Sequence, residues 1–136
     1  MMNTLDVCCA LITVPSAQGP LLLAARKAEG QSNERLYEFP GGKLESGEDA
    51  RDAIIREIRE ELGCSVQPIR MLTPVRQRER KHVIHLIPFL CRLEPSGLPV
   101  PLEHESLGFF SPGTLPELPW APADRPILRE WLAEIC

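Results

Sequence analysis

Val7 to Val14 is a long apolar run, and Pro15 to Pro20 separates it from a second, Leu21 to Ala25. Short apolar runs bounded by proline and glycine read as strands, so this pair predicts two neighbouring strands joined by a turn. Cys8 and Cys9 are adjacent in the first run and would point to opposite faces of the sheet. Arg26 and Lys27 end the second strand, and a polar loop from Glu29 to Arg35 follows. Further on the period changes. Ile54, Ile58 and Leu62 recur every fourth residue with Ile55 beside them, which is the apolar stripe of a helix. Glu48, Asp49 and Asp52 suit the positive end of its dipole, Ser46-x-x-Asp49 resembles a capping box, and Gly63 supplies the left-handed stop. After it, Val66 to Gln77 and Val83 to Leu93 predict two strands joined by the charged turn Arg78 to Lys81. The later strand has little alternation and should be buried on both faces, with Pro88 at a bulge or an unpaired edge position. Pro95 to Pro101 is a proline-rich loop. Asp124 is a natural N-cap and Pro126 suits the start of a final helix, whose apolar face is Ile127, Leu128, Trp131, Leu132 and Ile135. The pattern alone gives a mixed α/β fold.

The first helix carries the candidate chemistry. At about 100° per residue, Glu57, Glu60 and Glu61 fall in one arc beside the apolar face. Carboxylates so close repel one another unless something positive sits among them, and a hard cation bound by oxygens, such as Mg²⁺, answers that need. The plain alternative is a solvated acidic face. Against it, these acids follow a glycine loop, Gly41-Gly42-Lys43-Leu44-Glu45-Ser46-Gly47-Glu48, at fixed spacing. Gly42, Glu48 and the run Arg56-Glu57-Ile58-x-Glu60-Glu61-x-Gly63 resemble the Nudix box at every polar and glycine position. Cys64 departs from that pattern, which expects a larger aliphatic side chain there. As a small buried hydrophobe it leaves the chemistry untouched.

Length and charge narrow the field. A chain of 136 residues suits one domain over 1–136. The net charge of −4 argues against a nucleic-acid polymer as partner. Five cysteines without a C-x-x-C motif read as reduced core thiols rather than a zinc site. No basic leader precedes the first apolar run, which is also too short to span a bilayer, so the expectation is a soluble, cytoplasmic protein without membrane contact. His82 and His85, without a further ligand, read as ordinary polar residues.

The resemblance implies more. It implies the Nudix fold, an α/β/α sandwich with a mixed, partly curled sheet, and Mg²⁺-dependent hydrolysis (Mn²⁺ as a possible substitute) of a small nucleotide by a monomer or homodimer. The carbonyl of Gly41, Glu57, Glu60 and Glu61 would hold metal, and Glu48 would pair with Arg56 to brace the loop. The general base stays open between Glu57, Glu60 and Glu103. Phe109-Phe110-Ser111 resembles the family's strand after the acidic loop, and counting back from it favours Glu103 as an extra metal ligand, with Glu105 in reserve. Arg26 or Lys27, together with Lys43, would bind phosphate. Phe39 would lie near the base, or simply pack in the core. Asp124 stands where MutT-type members read the base, although a helix cap suffices to explain it. Those members often carry Asn there. Asp, acceptor-only when ionised, prefers amino groups. The leading expectation is sanitation of oxidised nucleotides such as 8-oxo-dGTP, with relevance to DNA repair. CTP or dCTP hydrolysis is the alternative, since Ala121-Pro122-Ala123-Asp124 is similar to a segment of bacterial CTP pyrophosphohydrolases. A non-catalytic nucleotide-binding module is a third reading, disfavoured because the box acids are all present.

Overall fold

The computed structural model describes residues 3–95 and 97–135. Strand β1 (Asn3–Val14) is four residues longer at its start than the apolar run suggests. It lies parallel to β7 (His82–Leu93) from Asn3↔His82 to Thr13↔Arg92. Its other edge is shared. β2 (Leu21–Arg26) pairs only with Thr13 and Val14, and β4 (Gly41–Lys43) pairs with Val7 to Cys9. Between these two contacts β1 and β2 splay apart. β3 (Tyr37–Glu38) pairs with the far end of β2, so Tyr37 to Lys43 crosses from one splayed strand to the other. β8 (Ser106–Phe110) covers the second edge of β2. The mixed, curved sheet that results is not closed.

The two helices lie on opposite faces. α1 (Ala50–Leu62) packs Ala53, Ile54, Ile58 and Leu62 against Cys8, Ala10, Ile12 and Leu23. α2 (Arg125–Ile135) packs Ile127, Leu128 and Trp131 against the other side, with Cys9, Leu11, Leu22 and Ala24. Alternation along β1 therefore feeds two cores, and Cys8 and Cys9 go to different ones, as their adjacency requires. The four described cysteines are free and buried, and Cys64 sits in the α1 core, as expected. Ile135 is the exception on α2: it is exposed rather than on the buried face.

Two local expectations are corrected. The N-cap of α1 is Asp49, whose carboxylate accepts from Arg51 N at 2.7 Å, so Ser46 lies a turn too early to cap. Gly63 does close the helix, at φ 64° with its N–H bonded to Arg59 O. The stretch Val66 to Gln77 is two strands, β5 (Val66–Met71) and β6 (Val75–Arg78), both antiparallel to β7. Pro88 lies away from the register shift between Pro68 and Arg70, at a position with no ladder partner on the β5 and β6 side: β5 ends opposite Phe89 and β6 pairs no further along β7 than Leu86. Its carbonyl accepts from Leu72 N just past the end of β5. A strand residue directs N and O to the same neighbour, so the donor proline lacks falls where β5 gives way to β6. No helix among the described residues is long and apolar enough to cross a membrane.

Candidate active site

The glycine loop and α1 are held together by one guanidinium. Arg56 donates from Nε and Nη2 to the two oxygens of Glu48 at 2.8 and 2.9 Å, from Nη1 to Glu57 at 2.9 Å, and from Nη2 to the carbonyl of Lys43 at 3.1 Å. A weaker contact of 3.2 Å reaches Glu60. This fork-to-fork pairing holds the Glu48 carboxyl down to about 2, and Glu48 in turn also accepts from Glu45 N. The brace expected from the box is therefore present. Gly42 lies against the carboxylate of Glu57, where a Cβ would overlap it, so a larger residue would displace that group from its place beside the loop. Gly41 has no room either, being pressed on the backbone of Cys8 and Cys9.

Glu61 is 8 % exposed and accepts from Gly41 N at 2.9 Å. Burial, then the charges of Glu38 and Glu103, push its carboxyl up to about 8. Burial raises Glu57 as well, against the opposing hydrogen bond from Arg56. Glu60 is the most solvated of the three. Among the described residues, no three His, Cys, Asp or Glu side chains stand together at metal-binding separation. The donors nonetheless fit a hard divalent ion. They are carboxylate and carbonyl oxygens, Glu57 and Glu61 are raised by burial first and then by neighbouring carboxylates, and the space beside Glu57 is one a Cβ would fill. Arg56 supplies part of the positive charge that an ion would supply.

A cavity of about 220 Å³ adjoins this face where the sheet splays, lined by Lys27, Glu38, Phe39, Gly41, Ala121 and Asp124 among others. Gly41 belongs to both features: it lines the cavity and bonds Glu61. Phe39 is nearly buried and stacks on Trp120 with ring centroids 4.8 Å apart, so it serves core and cavity wall together. Asp124 does not cap α2. It closes a 3-10 turn, Pro122–Asp124, and its Oδ1 accepts from Phe39 N at 3.0 Å, 85 residues away in sequence. Full burial pushes its carboxyl up to about 8. Raised in this way the carboxyl can hold a proton near neutrality and then donates as well as accepts, whereas its ionised form only accepts.

The remaining candidates separate. Lys27 reaches the cavity, at 4.0 Å from Glu38, whereas Arg26 turns away to Glu105 at 3.3 Å and to the carbonyl of Arg35. Glu105 is thereby occupied. Glu103 is exposed, and its charge raises both Glu57 and Glu61, which places it within electrostatic reach of them. Lys43 is exposed beside a separate shallow hollow with Asp6 and Glu48, and does not line the cavity. Glu38 and His104 were missed. They meet at 2.8 Å beside the cavity, and no local spacing signals a pair 66 residues apart.

The NUDIX domain pattern matches residues 2–131. The chain belongs to the Nudix family. It is 33% identical over 132 residues to the CTP pyrophosphohydrolase of Escherichia coli, covering 97% of this chain and 94% of that protein. A Mycobacterium tuberculosis protein named for 8-oxo-dGTP diphosphatase activity is 27% identical over 143 residues, 99% of this chain and 89% of its own. Among solved structures, the mismatch repair protein MutT of methicillin-resistant Staphylococcus aureus superposes with a TM-score of 0.78 at 34% identity, covering 98% and 99% of the two chains. The chain is a Nudix pyrophosphohydrolase acting on nucleotides.

Proposed function

We propose that this Nudix enzyme hydrolyses a free nucleoside triphosphate to the monophosphate and pyrophosphate, and that its first substrates are cytosine nucleotides. The observation that carries this reading is the buried carboxyl of Asp124 in the cavity. A protonated carboxyl meets a base edge that places a donor next to an acceptor, as N4–H and N3 of cytosine do. The cavity supports it too: at about 220 Å³ it is smaller than the roughly 300–1,000 Å³ of pockets that enclose drug-sized ligands, so it takes a base and leaves the phosphates outside. The full-length likeness to a CTP pyrophosphohydrolase points the same way. Oxidised purines such as 8-oxo-dGTP, which lead on sequence alone, form the second reading, favoured by the relative named for that activity.

In this reading Gly41, through its carbonyl, together with Glu57, Glu60 and Glu61, holds Mg²⁺, with Glu103 approaching from the loop. Bound there, such an ion would neutralise phosphate charge and acidify a water molecule. A water oxygen bonds to the β-phosphorus, the bond from that phosphorus to the bridging oxygen breaks, and the monophosphate leaves. Glu57, Glu60 or Glu103 takes the water's proton. Lys27 faces the phosphates from the cavity side, and the Glu48–Arg56 pair keeps Glu57 in place. A cytoplasmic location and a monomeric or dimeric state belong to the same proposal.

Pyrophosphate release with Mg²⁺ across CTP, dCTP, 8-oxo-dGTP, dGTP and ADP-ribose tests it. Cytosine nucleotides should lead in kcat/KM. A lead for 8-oxo-dGTP would replace this reading by the second, and no turnover at all would leave a binding module.

A further inference from the structure

We propose that His104 is a positioning residue, whose ring N–H fixes the Glu38 carboxylate as an acceptor in the wall of the nucleoside cavity. The inference rests on the cavity being the nucleoside site. The His104 side chain is 3 % exposed and its Nε2 lies 2.8 Å from Glu38 Oε2. Its Nδ1 is enclosed and has no partner among the described residues. A hydrogen on Nδ1 would be stranded there, so the arrangement that leaves fewest donors unmade puts it on Nε2, donating to Glu38.

An aliphatic side chain would fill this place without an unsatisfied nitrogen. A local rule broken in this way beside a site is the kind of exception that function explains. What the imidazole achieves is geometric. Glu38 sits on the two-residue strand β3, and its carboxylate has nothing else rigid to hold it: Lys27, at 4.0 Å, is itself a flexible ammonium. Anchored by a buried ring, Glu38 keeps one oxygen on His104 and the other towards Lys27 and the cavity. Its charge is felt on both sides, at Asp124 and at Glu61. A carboxylate held there recognises a hydrogen-bond donor of the nucleoside, either a sugar hydroxyl or a base amino group, and holding it in advance lowers the ordering cost of binding.

The test uses the full chain and measures CMP and dCMP binding by calorimetry without metal, alongside steady-state kinetics on CTP and thermal melting. His104→Ala should weaken CMP about tenfold, the order expected for one charged hydrogen bond. The loss should appear in KM far more than in kcat. His104→Gln, which keeps an N–H near the Nε2 position, should recover most of it. In a Glu38→Ala background, His104→Ala should weaken CMP no further. A CMP affinity unchanged by His104→Ala, or an equal loss with and without Glu38, overturns the proposal. Asp124→Ala separates the layers: if it weakens CMP while both His104→Ala and Glu38→Ala do not, only this inference falls. If none of the three matters, or the wild type binds no nucleotide, the cavity reading falls with it. A larger effect on CMP than on dCMP assigns the sugar 2′-hydroxyl as the donor, and equal effects assign a donor both nucleotides carry, the base amino group or the 3′-hydroxyl.

Discussion

Asp124 shows how one residue serves two expectations with different chemistry. Its sequence setting before Pro126 favours a cap, yet its oxygen goes to Phe39 N, because the 3-10 turn aims it back into the sheet. Burial is the main cause of its raised carboxyl, with Glu38 adding to the rise, while the Phe39 hydrogen bond and Lys27 oppose it. The unfolded carboxyl titrates near 3.8 and the folded one near 8, so between these values the native state holds a proton that the unfolded chain has lost. Stability from this group is complete below the lower value and drains away as pH rises to about 8, by at most about 1.4 kcal/mol per unit. Asp124→Asn keeps an oxygen for Phe39 N but cannot ionise. Urea midpoints from pH 5 to 8 without Mg²⁺ should therefore fall more steeply for wild type than for the variant. Glu61 titrates in the same direction in both proteins and cancels from the comparison. Parallel slopes would mean that Asp124 is ionised and solvated throughout. Glu57, Glu60 and Glu61 were legible from spacing because one helix carries them all. Glu38 with His104, and Asp124 with Phe39, were not, since those contacts exist only once β2, β3 and β8 have paired.

At the scale of elements, α1 and the glycine loop form one braced unit. Arg56 bonds Glu48, Glu57 and a loop carbonyl together, so removing one charge loosens the loop without touching the helix core. Glu48→Gln should lower kcat by about 10–100-fold, the usual cost of losing an outer partner of a metal-holding group. Circular dichroism should stay native. Arg56→Lys should behave alike, since an ammonium cannot form the paired, bidentate hydrogen bonds to Glu48. A Glu48→Gln enzyme with normal kcat would show the brace to be dispensable. The helix itself was readable almost to the residue, because Gly63 marks its end, and only the cap was misplaced, to Ser46 from Asp49. Strands fared differently. The break between β5 and β6 follows from Pro74 and from the donor that Pro88 lacks on the neighbouring strand, a conflict visible only when the two are laid side by side.

Taken whole, the molecule places its acids along one face and its cavity in the gap where β1 and β2 splay, with Gly41 common to both. Neighbouring cysteines sent to opposite cores foretold the two-faced sheet; the parallel pairing of β1 with β7, residues nearly eighty apart, had no local signal. This layout concentrates Glu57, Glu60, Glu61 and Glu103 with Arg56, among the described residues, as the only cation bonded among the box acids. Under the proposed function, a divalent ion bound among these acids would relieve their repulsion. An ion that binds only the folded state stabilises it by about 2.7 kcal/mol at a hundredfold excess over Kd, a rise in Tm on the order of 10 °C for a domain of this size. Melting in chelator against melting in Mg²⁺ should show such a rise, and Mn²⁺ should reproduce it. Glu57→Gln and Glu60→Gln should each melt normally in chelator yet lose most of the increase, because the fold does not need these carboxylates and the ion does. A rise of the same size in both variants would put the ion elsewhere on this acidic surface. No rise in the wild type would leave the clustered carboxylates without the cation their repulsion calls for.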